Sequence, residues 1–478
     1  MANSRRRNAQ PGWVPLCTSL LLLGCGAPAA FDEPKKNVLF VTVDTLRADH
    51  LGCYGYRRAT SPRIDELARE GVRFEYAIAQ WPKTTPSFAS MWTSTYAHRN
   101  GVTDVRRRID DRLELLAETF QAEGYRTVGV VTNPNLTAAY NFHQGFDTFV
   151  DWTDLGASRA EAVSDFAVEW LETRDDTTPF FLWLHYIDPH TPYDAPAPYG
   201  ELFVGDPFYV GSERAPLSTE RRDGLGGIPP TAFLPRGASV EEAIDRVDYY
   251  VAQYDAEIRY ADEHVGRLLD ALKKLGLEDD TIVVFTSDHG ESLGDHGYYF
   301  EHGALPYDAC LRVPLIVKIP GWSVADSVVD RPVELLDLAP TLVEFLQLRG
   351  SERMQGRSLL PLMSGRSDAA ADYVFSEGGY SKKYQRVIRN GRWKLIHVPS
   401  AFDRGWMQGL PFELYDVATD PGERTNLIED QPKVAARLES ELLRWMESAE
   451  PMPGVSASED VTIDEATREE LRTLGYLR

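Results

Sequence analysis

Residues 281–303, TIVVFTSDHGESLGDHGYYFEHG, constrain this chain more than any other stretch. Thr281 to Phe285 is a short β-branched and apolar run, the pattern of a strand buried on both faces of a parallel sheet. Directly after it come Asp288, His289, Glu291, Asp295, His296, Glu301 and His302, with three of the ten histidines inside fourteen residues. Open α/β sheets take their ligands beyond the carboxyl ends of the strands. Asp together with His is a ligand set for first-row divalent metals. The stretch therefore predicts an α/β sheet with a metal or catalytic centre at one edge.

Two further runs repeat the arrangement. Asn37 to Val43 is a buried-strand pattern ending at Asp44, and Phe180 to Leu184 leads into His185, Asp188 and His190. Between them lies WPKTTPSFASMWTSTY. Pro86 suits a first helical position, which makes Thr85 the N-cap and leaves Thr84 just outside, with Phe88, Met91 and Trp92 on one face. A hydroxyl at such a helix end feels the positive pole of the dipole, which favours an alkoxide or a bound anion.

The rest of the first 370 residues alternates helix and strand. Helices are expected at 61–70, 113–123, 161–173 and 335–348, and strands at 127–131 and 313–319. A helix of about thirty residues carries Ile258, Ala261, Val265, Leu268 and Leu272 on one stripe. This predicts a large α/β sheet sandwiched by helices. Beyond 370 the character changes to short strands, an Asn390-Gly391 hairpin signal and a helix over 432–448, a small antiparallel α+β subdomain with a helical tail. The Pro- and Gly-rich stretch 194–240 reads as a long loop over a binding face.

A net charge of −23 leaves no basic stripe to neutralise phosphates, which excludes a nucleic-acid binder. Arg5, Arg6 and Arg7, then the apolar run Trp13 to Leu23, form a targeting segment. Leu22-Leu23-Gly24-Cys25 resembles the lipobox of bacterial lipoproteins, which implies an exported periplasmic or outer-membrane protein tied to the membrane only by a lipid on Cys25. Residues 1–25 are thus the signal, 26–36 a tether, 37–370 the catalytic domain and 371–478 the subdomain. Cys53 and Cys310 show neither metal nor disulfide spacing.

Taken together, Asp44 after a strand, T-x-P-S at Thr84, FFLWLHYIDPHTPY, SDHGESLGDHG, RVPLIV and ELYDVATDPGERTNL resemble the sulfatase family of the alkaline phosphatase superfamily. The resemblance implies a mixed α/β sandwich with a smaller C-terminal sheet and an anionic ester, small or polymeric, as substrate. His289 stands where sulfatases commonly carry Asn, and Asp44, Thr84, Asp288 and His289 resemble instead the divalent-cation set of phosphonate monoester hydrolases and nucleotide pyrophosphatases. Thr84 stands where the family carries the Cys that becomes formylglycine. A threonine cannot yield that aldehyde, so no formylglycine is expected. Thr45 stands for a second Asp, Phe88 for an Arg, and GVVTNPNL (129–136) for a Gly-Lys-x-x-His segment.

These departures resemble phosphonate monoester hydrolases, nucleotide pyrophosphatases and phosphoethanolamine transferases. A threonine nucleophile needs a metal ion or base, and its ester must be opened by water, for which His190, His296 and His302 are candidates. Without the hemiacetal exit of formylglycine, that opening favours a phosphoryl over a sulfuryl group. Lys83, His98, Arg47 and Asn100, with His296, are the candidate contacts for the anion. A histidine ligand favours Mn²⁺ or Zn²⁺ over Ca²⁺. A transferase using the same Thr84, and a non-catalytic binding protein on this scaffold, are the other readings.

Overall fold

The computed structural model describes residues 35–156, 159–175, 177–206, 214–217, 226–229, 244–350, 352–379, 384–398, 411–447 and 460–474. The signal segment with Cys25, nearly all of the tether and much of the 194–240 stretch lie outside the described residues.

The strands, in chain order, are β1 Asn37–Val43, β2 Val72–Ile78, β3 Arg126–Val131, β4 Thr148–Val150, β5 Phe180–Tyr186, β6 Thr281–Ser287, β7 Ser292–Leu293, β8 Tyr299–Glu301, β9 Arg312–Lys318, β10 Ser327–Glu334, β11 Val374–Gly378, β12 Gln385–Arg389, β13 Trp393–His397 and β14 Phe412–Asp416. Eight of them form one sheet in the order β10-β2-β9-β6-β1-β5-β3-β4, parallel except for β9. β7 and β8 make a short ribbon, and β11 to β14 a four-stranded antiparallel sheet.

The continuous apolar runs are explained by burial on both faces. Val38 and Phe40 of β1, Phe181 and Trp183 of β5, and Ile282 and Val284 of β6 join one core. Leu39, Val41, Leu182, Leu184, Val283 and Phe285 join the other. Helices α1 (Pro62–Glu70), Ala160–Thr173 and Val247–Lys274 supply Ile64, Val163 and Ile258 to the second core. Helix α2 (Thr84–Thr93) supplies Phe88, Met91 and Trp92 to the first, and it is buried at all ten positions. A helix apolar or satisfied all round belongs inside the protein.

Several boundaries differ from expectation for local reasons. β6 runs on to Ser287 because its hydroxyls are satisfied in place: Thr286 Oγ1 donates to Pro314 O at 2.8 Å and Ser287 Oγ to His289 O at 2.6 Å. α2 begins at Thr84, with Lys83 as N-cap, so Pro86 is its third residue rather than its first. Proline costs no hydrogen bond there, since the first four N–H groups of a helix lack intrahelical partners. The expected helix 335–348 is a tight turn, Leu335–Asp337, followed by Leu338–Phe345. β12 and β13 are joined through Asn390, whose Oδ1 accepts from Arg392 N at 2.9 Å and Trp393 N at 2.7 Å.

The small sheet is fastened to the large one by backbone and side chain. Glu377 N donates to Gln80 O at 2.9 Å, and Ser376 Oγ to Ala79 O at 2.6 Å. Among the described residues no helix is long and apolar enough to cross a membrane.

Candidate metal centre and active site

β6, β1 and β5 are neighbours in register, with Val43 opposite both Ser287 and Tyr186. Parallel strands in register deliver the residues after them to one edge. Asp44, Asp288, His289 and His185 consequently meet there, all 0% exposed.

Each acid has one oxygen engaged and one bare. Asp44 Oδ2 accepts from Asn133 Nδ2 at 2.6 Å and lies 3.4 Å from His185 Nε2. Asp288 Oδ1 accepts from His289 N at 3.0 Å. Asp44 Oδ1 and Asp288 Oδ2 are buried with no hydrogen-bond partner among the described residues. Between them stands His289. Its Nδ1 is 2.9 Å from Gly290 O, a carbonyl that only accepts, so that nitrogen carries the proton and Nε2 a lone pair. Nε2 is 3.4 Å from Asp288 Oδ2, 3.8 Å from Asp44 Oδ1 and 3.3 Å from Thr84 Oγ1.

Two carboxylate oxygens and an imidazole nitrogen thus converge, within 4.8 Å of one another. An ion about 2.1 Å from each donor would set them about 3.0–3.5 Å apart, close to the two nitrogen–oxygen distances seen. The donor set fits a divalent cation.

The electrostatics agree. Burial, then the Asp44 charge, raises Asp288 well above the usual carboxylate range. Burial also raises Asp44, but the His185 hydrogen bond and the charges of His190, His185 and His289 outweigh it and hold the group at about 2. Burial pushes His289 down to about 4, keeping its ring neutral near pH 7.

Thr84 opens α2, so its hydroxyl lies at the positive end of a buried helix. One contact fixes that helix end beside the acids. Ser87 Oγ donates to Asp288 O at 2.6 Å, serving the partner loop rather than its own turn. Thr85 Oγ1 has no hydrogen-bond partner among the described residues, so the expected cap is not made. Thr45 takes a left-handed φ of 53° and is held by Tyr254, whose hydroxyl donates to Thr45 O at 2.8 Å and accepts from Arg47 N at 2.9 Å.

The rings of His190 and His302 lie 5.2 Å apart, and the His302 ring is 4.4 Å from that of His289. His302 Nδ1 is 3.3 Å from Glu291 Oε1, and His190 Nδ1 donates to Thr191 O at 2.7 Å. Burial is the main cause that pushes both imidazoles down, and the charge of Lys83 acts in the same direction on each.

Other expected contacts are placed elsewhere. Arg47 spends its guanidinium on both oxygens of Asp49 and, at 2.6 Å, on Asp295 Oδ2, a strut between the loops after β1 and β6. His98, in the short helix Ala97–Asn100 that follows α2, pairs with Glu377 at 2.8 Å and packs its ring 4.9 Å from Trp445. His296 stacks on Tyr307 with ring centroids 3.6 Å apart. Asn100 closes its own turn, donating to Thr95 O and accepting from Val102 N.

Asn133 is a site residue that the sequence pattern does not single out, although it lies in GVVTNPNL, the segment standing in place of an anion-binding one. Its position just past β3 is the available signal.

Similarity to known proteins agrees with this geometry. The sulfatase family model matches residues 36–348, and the model for the C-terminal region of N-sulphoglucosamine sulphohydrolase matches residues 294–448. An N-acetylglucosamine-6-O-sulfatase of Bacteroides thetaiotaomicron is 24% identical, covering 91% of this chain and 90% of that protein. A structure solved in complex with its substrate D-glucosamine-2-N,6-O-disulfate has a TM-score of 0.74 at 23% identity, covering 87% of this chain and 98% of that one. The phosphonate monoester hydrolase of Agrobacterium radiobacter has a TM-score of 0.71 at 24% identity, covering 87% and 96%. The chain therefore belongs to the sulfatase family, as an ester hydrolase of the alkaline phosphatase superfamily.

Proposed function

We propose that this chain hydrolyses phosphate, phosphonate or sulfate esters with Thr84 as nucleophile and Asp44, Asp288 and His289 as ligands of one divalent cation, Mn²⁺ or Zn²⁺ in preference to Ca²⁺. The observation that carries the reading is the convergence of two bare carboxylate oxygens and an imidazole lone pair 3.3 Å from the Thr84 hydroxyl. When bound, such a cation lowers the pKa of a nearby hydroxyl and polarises an ester oxygen.

The residues themselves do the rest. Thr84 Oγ1 attacks the central phosphorus or sulfur, its O–H proton ends on the departing alcohol, and an ester is left on Thr84. Water then opens that ester. His190 and His302, kept neutral by burial, are placed to take a proton from the water. Lys83, at the cap of α2, faces the anionic group. Because a threonine ester lacks the exit open to formylglycine, phosphoryl esters are favoured over sulfates.

A panel of nitrophenyl phosphate, phosphodiester, phosphonate and sulfate, each with several metals, tests this reading. Turnover of a phosphoryl ester, a mass-spectrometric adduct on Thr84, and a loss of orders of magnitude in Thr84→Ala are expected. Full activity in Thr84→Ala would overturn the nucleophile. The Leu22–Cys25 lipobox supports an exported, lipid-anchored protein. A Cys25→Ser chain that stays in the membrane fraction would contradict that anchor.

A further inference from the structure

The small sheet grips one segment of the large domain, residues 303–311, at successive points. Gly379 N donates to Gly303 O at 3.0 Å, Gln385 Nε2 to Ala304 O at 2.6 Å, and Tyr307 hydroxyl to Glu413 Oε2 at 2.9 Å. The strongest hold is on Asp308. Lys394 of β13, with a side chain 0% exposed, places Nζ 2.8 Å from Asp308 Oδ1 and 2.6 Å from Glu423 Oε1. Arg389 of β12 takes the other Asp308 oxygen, and Glu423 Oε2 accepts from Asp308 N at 2.6 Å.

Asp308 begins a single helical turn, Asp308–Leu311, and that turn touches the metal-ligand loop through its backbone. Gly290 N donates to Cys310 O at 2.9 Å. The approach is so close that a Cβ on Gly290 would lie 2.1 Å from Ala309 O, so only glycine fits. The carbonyl of this same Gly290 accepts from His289 Nδ1 at 2.9 Å, which fixes the tautomer and ring orientation of the ligand.

We infer that Lys394 is a positioning residue for His289, acting through Asp308 and the backbone contact between the 308–311 turn and Gly290. The small sheet then completes the metal centre although it contributes no residue to it. The inference rests on the proposed cation site. The ion pair fixes the turn, the turn fixes Gly290, and Gly290 aims the Nε2 lone pair at the two bare oxygens.

The test uses the full chain stripped of metal by a chelator. Affinity for Mn²⁺ and Zn²⁺ is read by competition with a chromophoric chelator, and amide hydrogen exchange by peptide. Lys394→Met is compared with wild type and with Arg392→Ala, a control whose salt bridge among the described residues is to Asp416. Lys394→Met is expected to weaken binding about 10- to 100-fold, the range for loss of support around a ligand. It is also expected to speed exchange in peptides over 303–311 and 286–292, while Arg392→Ala changes neither. Asp308→Asn, which keeps size and an acceptor, serves if Lys394→Met does not fold, and a several-fold weakening is expected from it. Wild-type affinity and exchange in the folded Lys394 or Asp308 variants would overturn the inference. No binding by the wild-type chain would instead overturn the cation site itself.

Discussion

Two buried clusters of acids lie on either side of the Gly290 turn, and they are built in opposite ways. Against the small sheet, Asp308 and Glu423 share Lys394 and Asp308 also takes Arg389, so both acids have a cation from the chain. Burial raises Asp308, but Arg389 and Lys394 more than cancel that and hold it below the usual range. At the edge of the large sheet, Asp44 and Asp288 each keep one oxygen with no hydrogen-bond partner among the described residues beside the His289 lone pair. In both clusters one acid is held low and burial pushes the other up, Glu423 to about 7 and Asp288 well above the usual range. A protein tolerates buried acids when it supplies the countercharge. Where it leaves the countercharge out and aims the bare atoms at one point, the missing partner comes from outside. The difference separates a structural ion cluster from a binding centre.

Removing countercharge from the first cluster should have the largest effect on stability. Lys394→Met breaks a buried pair and is expected to cost about 3–5 kcal/mol in denaturant unfolding, with or without metal. Removing an acid from the second should act oppositely. In chelator, Asp288→Asn relieves like-charge repulsion, so its unfolding midpoint should equal or exceed that of wild type. It should also lose the metal-induced gain, about 2.7 kcal/mol for wild type at a hundredfold excess over Kd. A midpoint in chelator well below wild type would show that the two clusters are built alike.

Acid unfolding sharpens the contrast further. Asp308 binds protons less readily folded than unfolded, so its contribution is present above about pH 4 and is lost as pH falls below that. Asp308→Asn should therefore flatten the acid limb of stability below pH 4 relative to wild type, at about 1.4 kcal/mol per unit of depression removed. An unchanged limb would mean that the pair contributes nothing. The smallest effect is expected at Thr85. Its hydroxyl is buried and unpartnered, so Thr85→Ala should change stability by less than about 0.5 kcal/mol, not the loss of about 1 kcal/mol expected from a lost cap.

The strands and their acids were legible because a sheet covered on both faces demands continuous apolar runs, and polar residues at their ends then stand out. Asp44, Asp288 and His289 needed only that reading and the rule that parallel strands share an edge. Thr84 was legible from its motif, but its place in the helix was not. Proline fits several positions of a first turn, so Pro86 need not be the first helical residue nor Thr85 the N-cap, and the helix begins at Thr84. Arg47 and His98 have partners that the sequence does not show, for a different reason. Their partners, Asp295 and Glu377, lie 248 and 279 positions away, and pairing at that separation is set by packing rather than by pattern. Asn133 was hidden similarly, since its contact with Asp44 spans 89 positions and leaves no periodic trace.

Equilibrium dialysis against Mn²⁺ or Zn²⁺, followed by elemental analysis of the folded chain, addresses the edge of the large sheet most directly. One ion per chain is expected for wild type, and none for Asp44→Asn or Asp288→Asn, with Thr84→Ala still retaining it. Wild-type protein without stoichiometric metal, or an ion kept after both acids are replaced, would contradict a cation centre built from Asp44, Asp288 and His289.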